Sequence, residues 1–594
     1  MQQVRTAHAQ KTRPDPGSIA FMMQSVAREH QAGTSLDSND AAWQWLVSML
    51  EGSASKLRSR QLTQIYWSFA RLAGVWTPSK ALIDVVGRST STQLSQFEPM
   101  GLSQILWASS KVASGLPTPL IGPLFAAVRR HCASFNAQDC ASAIFGLGKL
   151  CSSLQSKESR AATDLAAALV GRAVAVGPSM KAVDVANVIH GAGAAGVAFD
   201  SSQAQAFGSA VMRNQTYLSH SLTAMIVASL ERTYLAESET SPVLAALAER
   251  TRSVAADATP QSVVTLLRGW VRQYARGAVA ARPVLAVLVR EVSAAMSRSF
   301  EACDVADVLA ATAELLRATS SDDECRAHAD ALLGDAHERL ISDRLDGFDA
   351  TSLARTLWGM ASCEGAGGRP ALPEHGRVAA QSRCSALLPS LSPLDIAHIT
   401  WSHAAGSWPL PPVLLRGLQR RALECGDAFG AESAALLLWS LARLRATPNR
   451  ELFTSLEGTL TSSAPRLQAQ QLSNTLSALV SLEYEDVNSS AMAALMDHAR
   501  TLAPGMNAKD VADCLWASGA LGLHESYPQA IALTVDQLER TAAAMSGPQL
   551  ASTLWALAKM ASPASQLRLI VPSLVEEVAA VGAVNLGMVR ACGV

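Results

Sequence analysis

Apolar residues recur along this chain at helical spacing, in a frame that returns about every forty residues. In Leu550-Ala-Ser-Thr-Leu-Trp-Ala-Leu-Ala-Lys-Met560 the large apolar side chains share one side of a helix, with small residues between them and one lysine near the end. The same frame returns in Val511–Gly519, Ala434–Leu444, Leu353–Ala361 and Leu102–Lys111. Aligned on the tryptophan, the copies place Trp67, Trp107, Phe145, His190, Val227, Arg268, Ala310, Trp358, Trp401, Trp439, Ser477, Trp516 and Trp555 at one position. These thirteen copies lie 37 to 48 residues apart, and seven of the twelve tryptophans occupy that position, so chance is a poor account of the spacing. Copies four to seven keep the apolar frame and lose the aromatic.

A second apolar-periodic segment separates successive copies, as in Pro412–Ala422 and Gln566–Val575, often with Pro or Gly just before it. Proline suits a first helical turn, where its missing N–H costs nothing. Each period therefore predicts helix A, a turn, helix B and a loop. One such hairpin cannot bury its own apolar faces, whereas a stack can. The expected fold is all-α: an α-solenoid of about thirteen helical hairpins of roughly 38–45 residues. The pattern divides the chain into an N-terminal tail (1–40), a helix of an incomplete first repeat (41–57), the solenoid (58–582) and the start of a truncated further repeat (583–594). Capped ends are the rule in solenoids, so a chain stopping there is expected to be a fragment or to end against a partner.

At 100° per residue, helix A separates into faces. Counting from the tryptophan position, −5, −1 and +2 are apolar and should pack on helix B. Position +1 is always small, which lets neighbouring helices approach closely. Positions −3 and +4 share the opposite face. Position −3 is mostly polar and varied: Gln64, Gln104, Ser142, Asn187, Thr265, Asp307, Arg355, His398, Asn474, Asp513 and Ser552, with Ala224 and Leu436 as exceptions. Position +4 is basic in six copies: Arg71, Lys111, Lys149, Arg272, Arg443 and Lys559. Varied hydrogen-bonding groups beside a basic column suit single-stranded bases read one per repeat with phosphates held alongside. Glu231 and Glu314, read at +4, interrupt the column.

Composition narrows the choice of function. Charged residues are 17 % and net charge is −1, so no whole-surface basic field exists. A membrane span is not expected from the sequence. Ten scattered cysteines without a CxxC pair indicate reduced, buried thiols and neither a disulfide framework nor a zinc site. The first fourteen residues carry Arg5, Lys11 and Arg13 and no acid, which fits a transit peptide or a disordered tail equally. Gly191–Gly196 matches G-x-G-x-x-G but sits in register with helix A, so a dinucleotide site is not expected. His398 and His403, five apart, cannot chelate one metal from one helix face. The acid pairs Asp304/Asp307 and Asp510/Asp513 suit helix starts. No metal, cofactor or catalytic constellation is expected, and the chain does not read as an enzyme.

The stretches Leu550–Met560, Leu102–Lys111 and Ala434–Leu444 resemble the octotricopeptide repeat, a helical-hairpin repeat built around Leu-x-x-x-Leu-Trp-Ala-Leu-Ala-Lys-Leu. The resemblance runs from about residue 58 to near the end. It implies a protein of the mitochondrial matrix or chloroplast stroma that binds single-stranded organellar RNA, mRNA or rRNA. Such proteins support its stability, processing or translation, some in company with RNA-processing or ribosomal proteins. Related repeats occur in proteins ending in a RAP domain; none follows here, so RNA cleavage is not implied. The alternative is a non-catalytic scaffold, a structural subunit of an organellar ribonucleoprotein.

Overall fold

The computed structural model describes residues 1–112, 115–151, 153–154, 156–233, 241–296, 299–319, 322–342, 345–367 and 374–560. Among them are 29 α-helices, ten short 3-10 helices and no strand. They fall into two compact units, Met1–Ala294 and Ala295–Val594. Within each unit, helix A packs on the A helices of the repeats before and after it and on its own helix B, as a solenoid requires. The segments 566–575 and 583–594, read as a last helix B and a truncated repeat, lie outside the described residues.

Local sequence fixes the helix ends. Ser79, Asp200, Thr259, Asp349, Asn449 and Asn507 cap N-termini, each accepting a backbone N–H three residues on. Pro99, Pro260, Pro393, Pro412 and Pro528 occupy first turns. All ten 3-10 helices follow a helix B. Each is followed by an apolar residue in extended backbone, including Leu57, Phe97, Phe135, Met180, Leu218, Leu391, Phe429, Leu467, Met506 and Met545, all buried.

The faces of helix A fall where the period places them. In Ser59–Leu72, Leu62, Tyr66 and Phe69 are buried, and Thr90 of helix B donates to the Tyr66 hydroxyl at 3.4 Å. The small residue at +1 meets the preceding helix A at backbone distance. A Cβ on Gly146 would lie 2.6 Å from the Leu106 carbonyl, and one on Gly191 2.6 Å from that of Ile144. Any larger side chain would hold the helices apart.

Two expectations need correction. Residues 1–40 are folded: Gln2–Ala9 and Pro16–Gln31 are helices, and Ile19, Met23 and Val26 of the second are buried where it packs as a helix A on Ser59–Leu72. Ala41–Ser53 is thus helix B of a complete repeat. The tail reading failed because this helix carries Gln24 where the motif has tryptophan. Second, the fifth copy is out of phase by one. A Cβ on Gly269 would meet Val227, as Gly146 meets Leu106, so Val227 stands at −1 and Ala228 holds the aromatic position. Arg232, not Glu231, then occupies +4. Lys157–Ser179 is long and apolar enough to cross a bilayer by length and composition alone. It serves as a helix B, with Ala162, Leu165, Leu169 and Val170 fully buried.

Candidate nucleic-acid interface

Each helix A keeps one solvent-facing stripe while its other sides are covered by neighbours. In Ser59–Leu72 the stripe is Gln64, Trp67 and Arg71, flanked by buried Thr63, Ile65, Tyr66, Ser68 and Phe69. All eleven polar side chains predicted at −3 are half-exposed, and all seven basic side chains at +4, once Arg232 is included, are exposed or half-exposed on the same stripe as the aromatic position.

The aromatic position does more than the sequence frame implied. Its rings are not sealed between repeats: Trp67, Trp107, Trp358, Trp401, Trp439, Trp516 and Trp555 are all half-exposed. They follow one another along the stack. Trp358 and Trp401 lie 6.0 Å apart, and Trp401 and Trp439 are stacked at 6.4 Å. In the first unit the +4 cations interleave with the rings. The Arg71 guanidinium is 5.4 Å from the Trp67 ring and 5.1 Å from Trp107 of the next repeat. Lys111 lies 5.0 Å over Phe145, and Phe145 lies 5.9 Å from His190. Partial burial, with Lys149 and Arg71 nearby, pushes the Lys111 ammonium below its usual value. Cations of successive repeats thus repel one another along this stripe, a strain that an anion laid across it would relieve.

The polar column differs between the units. The side chains of Gln64, Gln104, Ser142 and Asn187 make no hydrogen bond to the described residues. Thr265 donates to Gln261 of its own helix at 2.7 Å. In the second unit the −3 residues engage one another. Arg355 pairs with Asp307 of the preceding helix A. Lys509 pairs with Asp513 at 2.6 Å and reaches Asn474 at 3.5 Å. Ser552 bonds the Gln549 carbonyl. His398 lies 5.7 Å from Trp358, its imidazole held below the usual pKa by burial and by Arg355.

Basic residues are likewise unequal. In the first unit Arg71, Lys111, Lys149, Arg232 and Arg272 occupy +4, with Ala194 the exception. In the second only Arg443 and Lys559 do, each over its own tryptophan at 5.8 and 5.0 Å. Glu314 stands there too. The sequence frame missed Arg232, because one apolar residue either way fits a short helix equally well. The packing partner of Gly269 settles it.

The acid pairs divide: Asp304 and Asp510 lie in the first turns of their helices, and Asp307 and Asp513 pair with Arg355 and Lys509. Asp304 accepts the Glu301 N–H, and Asp510 accepts from Ser473 of the preceding repeat at 3.1 Å. Among the described residues no cluster of His, Cys, Asp and Glu could hold a metal.

Residues 412–565, about a quarter of the chain, match the model of a family described as RNA-editing substrate-binding complex 6 protein. No curated protein matches in sequence. A homology model of the full-length AP-3 complex in an intermediate open conformation is 10% identical, covering 98% of this chain and 93% of that one, with a TM-score of 0.30. Kap95p, from a study of its binding to RanGDP, is also 10% identical, covering 95% and 84%, with a TM-score of 0.25. Both scores lie under 0.5 and carry no argument.

Proposed function

We propose that the chain binds single-stranded organellar RNA, without chemistry of its own, along the solvent-facing stripe of the first unit. The observation that carries this reading is the ladder Trp67, Arg71, Trp107, Lys111, Phe145, in which rings, half-exposed at Trp67 and Trp107 and buried at Phe145, alternate with cations. Exposed aromatic faces stack bases of any identity, and cations beside them hold the backbone. Gln64, Gln104, Ser142 and Asn187 lie one turn away as hydrogen-bonding groups for base edges. The neutral net charge is compatible with this, because the basic residues at +4 recur along one stripe whatever the balance elsewhere. The octotricopeptide resemblance supports the same reading, as does the RNA-related description of the matched family. The organelle, mitochondrion or chloroplast, rests on that resemblance.

The test is binding of the full chain to RNA of about seven nucleotides, one per repeat of the first unit, at several salt concentrations. Lys111→Glu with Lys149→Glu should abolish binding and flatten its salt dependence. Unchanged affinity in a folded variant overturns the reading.

A second reading belongs to the second unit. The family match covers residues 412–565, and the family's description names a complex. There the −3 side chains bind one another and basic +4 residues are few. This surface suits docking to a protein subunit of a ribonucleoprotein better than RNA. Removal of residues facing that stripe should leave RNA affinity intact and release partners.

A further inference from the structure

We propose that a cleft in the first unit, where the aromatic column gives way to His190, Ala228 and Arg268, seats one phosphate group of the bound nucleic acid. The inference rests on the RNA-binding reading and names the chemical group that this part of the stripe recognises.

The cleft has a volume of about 250 Å³, and its lining includes His190, Ser229, Arg232, Thr265, Arg268 and Arg272. Its origin lies in the sequence. The three copies Trp67, Trp107 and Phe145 fill the ring position with an aromatic side chain and the next fills it with His190, whereas Ala228 fills it with a methyl group. The space is left open between the imidazole of one repeat and the guanidinium of the next. Gly269 keeps it narrow, since its missing side chain lets that helix close on Val227.

The chemistry of the lining is that of an oxyanion site. Arg268 and Arg272 stand one turn apart on one helix, and Arg232 reaches in from the preceding repeat. Guanidinium groups offer planar forks of donors matched to phosphate oxygens. Ser229 Oγ donates to the Met225 carbonyl at 2.9 Å and meets His190 Nδ1 at 3.1 Å, which fixes the imidazole at the edge of the cleft. Glu231 Oε2 lies 4.0 Å from Arg272 Nε and offsets part of that charge. Burial, then Lys149, Arg232 and Lys111, hold His190 below its usual pKa, while a bond to the Met225 carbonyl acts in the opposite sense. A ring surrounded by cations should regain basicity once an anion enters.

A backbone phosphodiester and a terminal phosphate present the same oxygens, so the experiment separates them. The full chain is titrated with inorganic phosphate while the His190 ring resonances are followed through a pH series. An upward move of the His190 titration on adding phosphate is expected; no move overturns the proposal. In parallel, Arg232→Gln with Arg268→Gln is compared with the native chain on 5′-phosphorylated and 5′-hydroxyl RNA. Loss of at least about tenfold in affinity, equal for all sequences, with a salt slope lower by about 0.7, supports one phosphate contact. If the loss is the same for both RNAs, the ligand is an internal phosphodiester; if confined to the phosphorylated one, it is a terminal phosphate. Native affinity and slope in the folded double variant overturn the proposal. Should the chain bind no RNA while phosphate still moves His190, the anion site stands and the RNA reading falls.

Discussion

Arg172 donates from Nε to the carbonyl of Phe135 across 2.9 Å, from helix B of one repeat to the buried anchor of the loop before it. The relationship recurs with changing chemistry. Arg250 reaches Leu218 at 2.6 Å, Arg421 reaches Leu391 at 3.1 Å, His498 reaches Leu467 at 2.8 Å and Gln537 reaches Met506 at 2.7 Å. Gln93 does the same for Leu57. A loop carbonyl that helix geometry leaves orphaned is thereby satisfied by the next repeat. Arg172→Ala should cost about 1–3 kcal/mol. Hydrogen exchange should show the loss concentrated near residues 135–180, since repeats contact only their neighbours. Uniform loss of protection would contradict this.

Close packing of A helices gives a sharper expectation. A Cβ at position 191 lies 2.6 Å from the carbonyl carbon of Ile144 and 2.6 Å from the Phe145 nitrogen, both backbone atoms that cannot swing aside. Gly191→Ala should destabilise by about 1–3 kcal/mol, measured by urea denaturation. Gly171→Ala, on an open helix surface with nothing within 4 Å, should be neutral or slightly stabilising.

Much of this was legible before any coordinates. The period, the small +1 residue and the solvent-facing −3 and +4 positions follow from helical geometry, because a stacked helix has few places to send a side chain. What escaped was relational. Ala228 and Val227 are interchangeable in an apolar frame, and only contact with Gly269 separates them. The arginine straps lie on helix B, where Arg, Gln, Asn and His serve one role and leave no residue signature. The frame placed the aromatic ring without giving its exposure; its neighbours along the stripe leave part of each tryptophan in water.

Acid should loosen the second unit. His403 is buried, with its Nδ1 2.9 Å from the Ile399 carbonyl, and burial holds its pKa below the usual value, as it does for His398. Both rings are neutral in the fold, whereas the unfolded chain takes up protons near pH 6.5. Their contribution is therefore full above about pH 6.5 and is lost as pH falls toward the folded values. Thermal melts across pH 5 to 8 should show this decline, and His403→Gln should shrink it. A flat profile in the native chain would refute the assignment.

Thiol chemistry should sort by burial. Burial pushes Cys140, Cys363 and Cys384 up to about 12, and Cys514 is raised likewise. Cys303 is exposed. Alkylation of the native chain near pH 8, mapped by mass spectrometry, should label Cys303 well before these four. Comparable rates would mean that the A helices open far more readily than their packing implies.

Trp107 and Trp270 should separate function from stability. Trp270 is fully buried and donates from Nε1 to Thr251 at 3.1 Å. Trp270→Ala should cost about 3–5 kcal/mol. Trp107 is half-exposed beneath the Arg71 guanidinium, so Trp107→Ala forfeits less burial and leaves that cation without one of its two rings. If the ladder stacks bases, the loss should appear in RNA affinity, about 1–3 kcal/mol for one base, with melting shifted less than in Trp270→Ala. The comparison is decisive because both residues belong to the same unit and the same helix layer. A Trp107 variant that melts early yet binds RNA normally would return the ring to a packing role.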